Sequence, residues 1–145
     1  MSRVEGADEF LRDLKKLGDE MPQVERQMLQ AGGEEMAAAW RDEIDRRGFI
    51  SEGEKETEHM RDHITYKLIS RKGKLRAEIT ATGEVKRKNR IVRHAEKAFY
   101  LHYGTSKIPA SHWIDSAEAQ GMPPTSAAMA AVLDEKLKST IGANR

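Results

Sequence analysis

The chain has 145 residues, the size of one ordinary domain, and its 25 Lys and Arg against 24 Asp and Glu leave a net charge of +1. Leu, Ile, Val and Phe supply 26 residues, about 18% of the chain and under the ~20% at which disorder becomes a concern, yet the balanced charge removes the self-repulsion that keeps a disordered chain open. The absence of Cys excludes a disulfide framework, a thiol nucleophile and a Cys-ligated metal, and no run approaches the ~18 apolar residues that a membrane span needs. These observations predict one soluble domain over residues 1–145, made in the cytoplasm and with no membrane partner. Seven Met and many Ala stand in for bulkier groups, which makes assembly with other subunits a route to further stabilisation.

In chain order, Phe10, Leu11, Leu14 and Leu17 recur at helical spacing and Gly18 follows as a stop, so residues 6–17 read as a short amphipathic helix. Asp19 can cap a second, long helix whose first turn tolerates Pro22. Val24, Met28, Leu29, Gly33, Met36, Trp40 and Ile44 form its stripe, running to about Arg47. Ala31-Gly32-Gly33 and Ala37-Ala38-Ala39 carry little side-chain bulk, so close approach is expected there, by an internal neighbour or by another subunit. Residues 48–57 read as a loop. Alternation follows: Ile64, Tyr66 and Leu68, then Leu75, Ala77, Ile79 and Ala81, with Arg71-Lys72-Gly73-Lys74 as a hairpin turn.

Residues 84–93 contain Lys86-Arg87-Lys88-Asn89-Arg90-Ile91-Val92-Arg93 and read as a basic flexible loop, too polar for a buried element. Ala95, Ala98, Phe99 and His102 restore helical spacing up to Gly104, although Phe99, Leu101 and Tyr103 also alternate. Beyond Pro109, Ser111 can cap a helix that Gly121 ends. Met122-Pro123-Pro124-Thr125 then breaks the chain before a last helix with Met129, Val132, Leu133 and Leu137 on its stripe, and residues 142–145 form a tail. The fold class is α+β: a short helix, a long helix, an antiparallel β-hairpin sheet, then two or three C-terminal helices.

For catalysis, the sharpest feature is His59-Met60-Arg61-Asp62-His63, with two His four apart and a nearby carboxylate, the layout of an inverted zinc-protease box with Asp in place of Glu. On a helix this would serve a metal-dependent hydrolase; in a turn leading into the sheet it is structural. No nucleophile elbow, phosphate loop or dinucleotide fingerprint occurs. The acidic pairs, including Glu34-Glu35, Asp42-Glu43 and Asp134-Glu135, are expected on solvated faces. No catalytic, cofactor-binding or metal-ligating residue is assigned, and no enzyme activity or cofactor is expected.

Charge is more informative. Residues 5–47 hold twelve acidic and seven basic groups, whereas residues 65–94 hold ten basic and two acidic ones. Lys86, Arg87, Lys88, Arg90 and Arg93 could neutralise nucleic-acid phosphates, though no aromatic is interleaved. Alternatively the acidic helical face of one copy meets the basic face of the next, a heterologous contact that closes into a ring. A solvated loop is the third reading.

The segment Ala98-Phe99-Tyr100-Leu101-His102-Tyr103-Gly104-Thr105-Ser106-Lys107-Ile108-Pro109-Ala110 resembles the minor tail component family of long-tailed phages and prophages, the neck proteins called tail-completion or head-tail joining proteins. In that family an aromatic-x-Glu-Phe-Gly-Thr segment precedes a short loop, then Pro-Ala-x-Pro-Phe and a helix. Here Tyr103-Gly104-Thr105 keeps the Gly-Thr core, Pro109-Ala110 the loop end, and Trp113 stands at the Phe. Thr57-Glu58-His59-Met60-Arg61-Asp62-His63-Ile64 is similar to the family's Thr-Gly-His-Leu-x-x-Ser-Ile strand entry, and the likeness spans Gly6 to about Gln120. Glu58, His102 and Ser111-His112 depart from the pattern. The resemblance implies a non-catalytic virion protein, a ring-forming subunit, commonly sixfold, that joins the tail to the portal-adaptor complex. Its implied partners are further copies of itself, tail terminator and tail-tube proteins, and connector proteins of the adaptor or stopper type. The basic run would line the DNA channel or reach an acidic neighbour. Gly104 would supply a conformation that other residues resist, and Phe99, Tyr103 and Trp113 would anchor the loop-helix corner against the sheet.

Overall fold

The computed structural model describes residues 6–49, 59–87 and 90–141. Helix α1 runs Ala7–Arg47 without interruption, about 60 Å at 1.5 Å per residue, where the sequence predicts two helices. Gly18 is absent from the positive-φ residues and so stays helical rather than stopping the chain. Glycine inside a helix costs only about 1 kcal/mol. Pro22 withholds a donor from the carbonyl of Gly18, which is exposed, so water can replace it. The real stop is Gly48, left-handed at φ 66, where the Phe49 N–H donates to Ile44 O at 3.3 Å and that of Gly48 to Asp45 O at 3.2 Å.

Strands β1 (Ile64–Arg71) and β2 (Lys74–Ala81) pair antiparallel, as the alternation predicts. Lys72 and Gly73, at φ 52 and 75, make the two-residue turn. The register sets Ile64 opposite Ala81, Tyr66 opposite Ile79 and Leu68 opposite Ala77, so the apolar positions of both strands share the face that packs on α1.

The segment 84–93, expected as a flexible loop, is instead a second hairpin: β3 (Glu84–Arg87) pairs with β4 (Arg90–Arg93). Two valines decide it. Val85 opposes Val92 in the register and is buried at 6% exposure, which is enough apolar contact to orient a two-stranded ribbon whose other positions, Ile91 apart, are charged. Residues 142–145, expected as a tail, and most of the 48–57 loop lie outside the described residues.

Helix α2 spans His94–Tyr103 and α3 spans Trp113–Thr140. The expected break at Pro123-Pro124 does not occur. These prolines withhold donors from the carbonyls of Ala119 and Gln120, both at exposed positions where water can replace them. Packing on α1 holds the turn in place: an ideal Cβ on buried Gly121 would sit 2.8 Å from Ala39, and Thr125 Oγ1 donates to Gly32 O at 3.5 Å. The bare stretch of α1 therefore receives internal neighbours. Gly32 faces Met129 of α3 and Gly33 faces the Tyr66 ring of β1. Trp40, Ile44, Met60, Ile64, Trp113 and Ala117 form the core between α1, the hairpin and α3.

Candidate interaction surfaces

The turn from α2 into α3 is the most tightly specified corner. Gly104 has φ 83 and ψ 168, a region essentially reserved for glycine, and a Cβ there would lie 2.7 Å from Ala110 N. Thr105 Oγ1 accepts from the amides of Lys107 and Ile108 at 3.2 and 3.1 Å, and the amides of Ser111 and His112 donate back to Leu101 and His102 carbonyls. The start of α3 is then capped from two directions. Ser111 Oγ accepts from Trp113 N at 3.3 Å, and the buried His102 Nδ1 accepts from Ile114 N at 3.2 Å.

Below the corner, Trp113 is fully buried, its ring 5.3 Å from Trp40 and 6.1 Å from Phe49 in edge-on contacts, with Nε1 donating to Ala98 O at 3.1 Å. Phe99 and Tyr103, expected to anchor the same corner, do not. They are 56% and 60% exposed and turn outward with Tyr100 and Ile108. The Phe99 and Tyr103 rings stand 4.6 Å apart, because residues four apart share one helix face. Helix α2 spends its inward face on Ala98 and His102, which leaves the aromatic face uncovered.

Glu43, expected on a solvated face, is buried at 2%. It binds Arg47 at 2.7 Å and Arg46 at 3.0 Å and accepts from Gln120 Nε2 at 3.2 Å, while Arg47 reaches Ser111 O and Ser116 Oγ, both at 3.1 Å. The end of α1 is thereby fastened to the start of α3. Sequence reading missed this because an acid-basic-basic run looks the same whether exposed or folded under a partner helix.

His59 and His63 do not share a helical face. His59 precedes a short 3-10 turn, Met60–His63, and the His63 ring stacks on buried His94 at 4.4 Å. Among the described residues, His102, His112 and Asp115 are the cluster with ligand atoms in mutual reach. Accepting from Ile114 N requires His102 Nδ1 to be unprotonated, so the neutral ring carries its proton on Nε2, the nitrogen nearest Asp115. That is the reverse of the ligating arrangement, in which the far nitrogen donates outward.

On the second hairpin, Lys86, Ile91 and Arg93 are exposed on one face, with Lys86 directly opposite Ile91, and Arg90 is exposed near the tip. Lys88 and the Arg87 side chain lie outside the described residues. A separate groove of about 710 Å³ opens between α1, β2 and α3. Trp40, Ile79, Ile114 and Met122 give it an apolar lining, and Glu78, Asp115 and Glu118 are its charged members.

A family model described as "Bacteriophage HK97-gp10, putative tail-component" matches residues 8–104, about two thirds of the chain. The chain belongs to this family. No curated protein and no solved structure matches it with significance. In this HK97-gp10-like chain the matched span takes in α1, both hairpins and α2, and ends on Gly104. Pro109 and Trp113 of the sequence motif lie beyond it. Pro109 is exposed in the loop, whereas Trp113 occupies the centre of the core that the matched elements build. No helix among the described residues is long and apolar enough to cross a membrane.

Proposed function

We propose that this chain is a structural subunit of a phage or prophage virion, made in the bacterial host cytoplasm, that assembles into a homo-oligomeric ring, commonly sixfold, at the junction of tail and head. Its partners in this reading are other copies of itself, tail terminator or tail-tube proteins on one side, and connector proteins of the adaptor or stopper type on the other. Its work is joining rather than catalysis. Membership in a tail-component family supports the setting. The observation that carries the assembly reading is the outward aromatic face of α2: Phe99, Tyr100 and Tyr103, continued by Ile108, are 42–60% exposed on a corner that Gly104 and Thr105 hold rigid. A preordered aromatic cluster is the composition of an interface core. The N-terminal turns of α1 add Phe10, Leu11 and Leu14, at 46%, 61% and 40% exposure.

Sedimentation velocity over a concentration series tests this. Wild-type protein is expected to associate into a defined oligomer, and the double variant Phe99→Ser, Tyr103→Ser is expected to stay folded and shift to monomer. A wild-type chain that remains monomeric at high concentration, alone and with tail and connector proteins, refutes the proposal.

A further inference from the structure

Two surfaces of the chain complement one another without touching. The groove between α1, β2 and α3 is floored by Trp40, Ile79, Ile114 and Met122, and none of the described residues of 84–93 lines it. Its charged members are all acidic. Glu78 is ion-paired with Arg76 on its own strand, while Asp115 and Glu118 are exposed on successive turns of α3. The second hairpin presents the opposite pattern: Ile91, a β-branched side chain 52% exposed, has Lys86 across the ladder and Arg93 two residues on, all three on one face of the ribbon. Glu84 sits opposite Arg93 on this face, which leaves it with two cations and one carboxylate around Ile91.

We infer that the β3–β4 hairpin of one copy docks in the α1–β2–α3 groove of the next, with Ile91 on the apolar floor and Lys86 and Arg93 against Asp115 and Glu118. This rests on the ring proposal above and specifies its contact. An apolar knob flanked by cations that enters an apolar groove edged by carboxylates gains burial at the centre and steering at the rim. Knob and groove are different surfaces of one chain, so the contact is heterologous and repeats head to tail, as a ring requires. A two-stranded ribbon is marginal by itself, so the hairpin also gains support from the docking. The arrangement explains why Ile91 faces outward on a hairpin whose Val85 faces in.

The chain has no Cys, so introduced thiols report one contact cleanly. The double variant Ile91→Cys, Ala119→Cys, whose second site is exposed on the groove wall, is expected to give a ladder of covalent multimers on oxidation in non-reducing gels. The two single variants mixed should stop at dimers, and Ile91→Cys with Lys67→Cys should give no ladder. In parallel, Ile91→Glu is expected to weaken self-association by roughly tenfold or more. An oligomer by sedimentation with no 91–119 ladder and an unaffected Ile91→Glu variant overturns this contact while leaving the ring proposal standing. A cross-link confined to the monomer overturns it too. If Ile91→Glu, or Lys86→Glu with Arg93→Glu, removes binding to duplex DNA and leaves assembly intact, the hairpin faces the genome and the docking is wrong. A wild-type chain that never associates overturns both.

Discussion

Trp113 is the largest fully buried side chain of the core, so Trp113→Phe asks what the indole, rather than a smaller aromatic ring, does in this chain. The ring is fully buried and meets Trp40 at 5.3 Å and Phe49 at 6.1 Å, contacts that the smaller ring retains in part. Two losses remain. The Nε1–H bond to Ala98 O at 3.1 Å disappears. That carbonyl sits in α2 and keeps a helical partner on its other lone pair, so the loss is that of one ordinary bond, about 1 kcal/mol, and not of an orphaned group. The missing part of the indole leaves roughly 40 Å³, which at about 24 cal/mol per Å³ costs another ~1 kcal/mol. The sum is about 2 kcal/mol, or roughly 6 °C in Tm for a domain of this size. Urea unfolding followed by far-UV circular dichroism at one fixed protein concentration measures it, since association adds stability of its own. Trp40 then remains as the single fluorescent reporter. A loss under 0.5 kcal/mol would refute the claim that Trp113 organises the core. Trp113→Ala is expected to exceed 4 kcal/mol and prevent folding at 37 °C.

The two glycine changes in α1 should have opposite signs. Gly33→Ala drives a Cβ to 2.7 Å from the Tyr66 ring, so it is expected to destabilise by about 1–2 kcal/mol despite the better helix propensity, whereas Gly18→Ala meets nothing within 4 Å and should stabilise by about 0.5–1 kcal/mol; thermal melts of both decide it. Glu43→Ala should cost about 1–2 kcal/mol, a discounted figure because the Arg46 and Arg47 side chains are 54% and 31% exposed, and Glu43→Leu should cost less, because an apolar group of similar size avoids both the cavity and the buried charge. Tyr66 ionises above the ordinary tyrosine range because burial disfavours the phenolate, with the Glu34 carboxylate and its hydrogen bond adding to the effect. Its contribution to stability is intact below pH ~10 and is lost as pH rises through the raised folded-state value. Ultraviolet titration should show Tyr66 ionising late, and Glu34→Gln should bring it earlier while burial still holds it up.

Much of the fold is legible residue by residue. The alternation from Ile64 to Ala81 around Lys72-Gly73 fixes a hairpin because a strand's period of two and a two-residue turn are local properties. Gly104 announces a special backbone geometry, and Tyr103-Gly104-Thr105 carries the family resemblance before any coordinates. The failures are failures of local propensity. Gly18 and Pro123-Pro124 are helix breakers by propensity, yet both helices continue: the cost at exposed Gly18 is only about 1 kcal/mol within a 41-residue helix, and at the prolines the packing of α3 on α1 through Gly32, Gly121 and Thr125 outweighs a cost of a few kcal/mol.

Side-chain direction follows the same rule. From spacing alone, Phe99, Tyr103 and Trp113 look like one anchoring set, and Glu43 looks like a surface acid. The packing buries Trp113 and Glu43 and leaves Phe99 and Tyr103 outside, since which face of α2 turns inward is settled by the elements around it. Short-range pattern carries the α+β class, the first hairpin, the glycine corner, the family and the separation of charge into acidic and basic regions. Where the helices end, the ribbon of the basic run with Ile91 on its outer face, and the acid-rimmed groove between α1, β2 and α3 come from packing alone. Those depend on residues far apart in the chain becoming neighbours, and local periodicity carries no record of that.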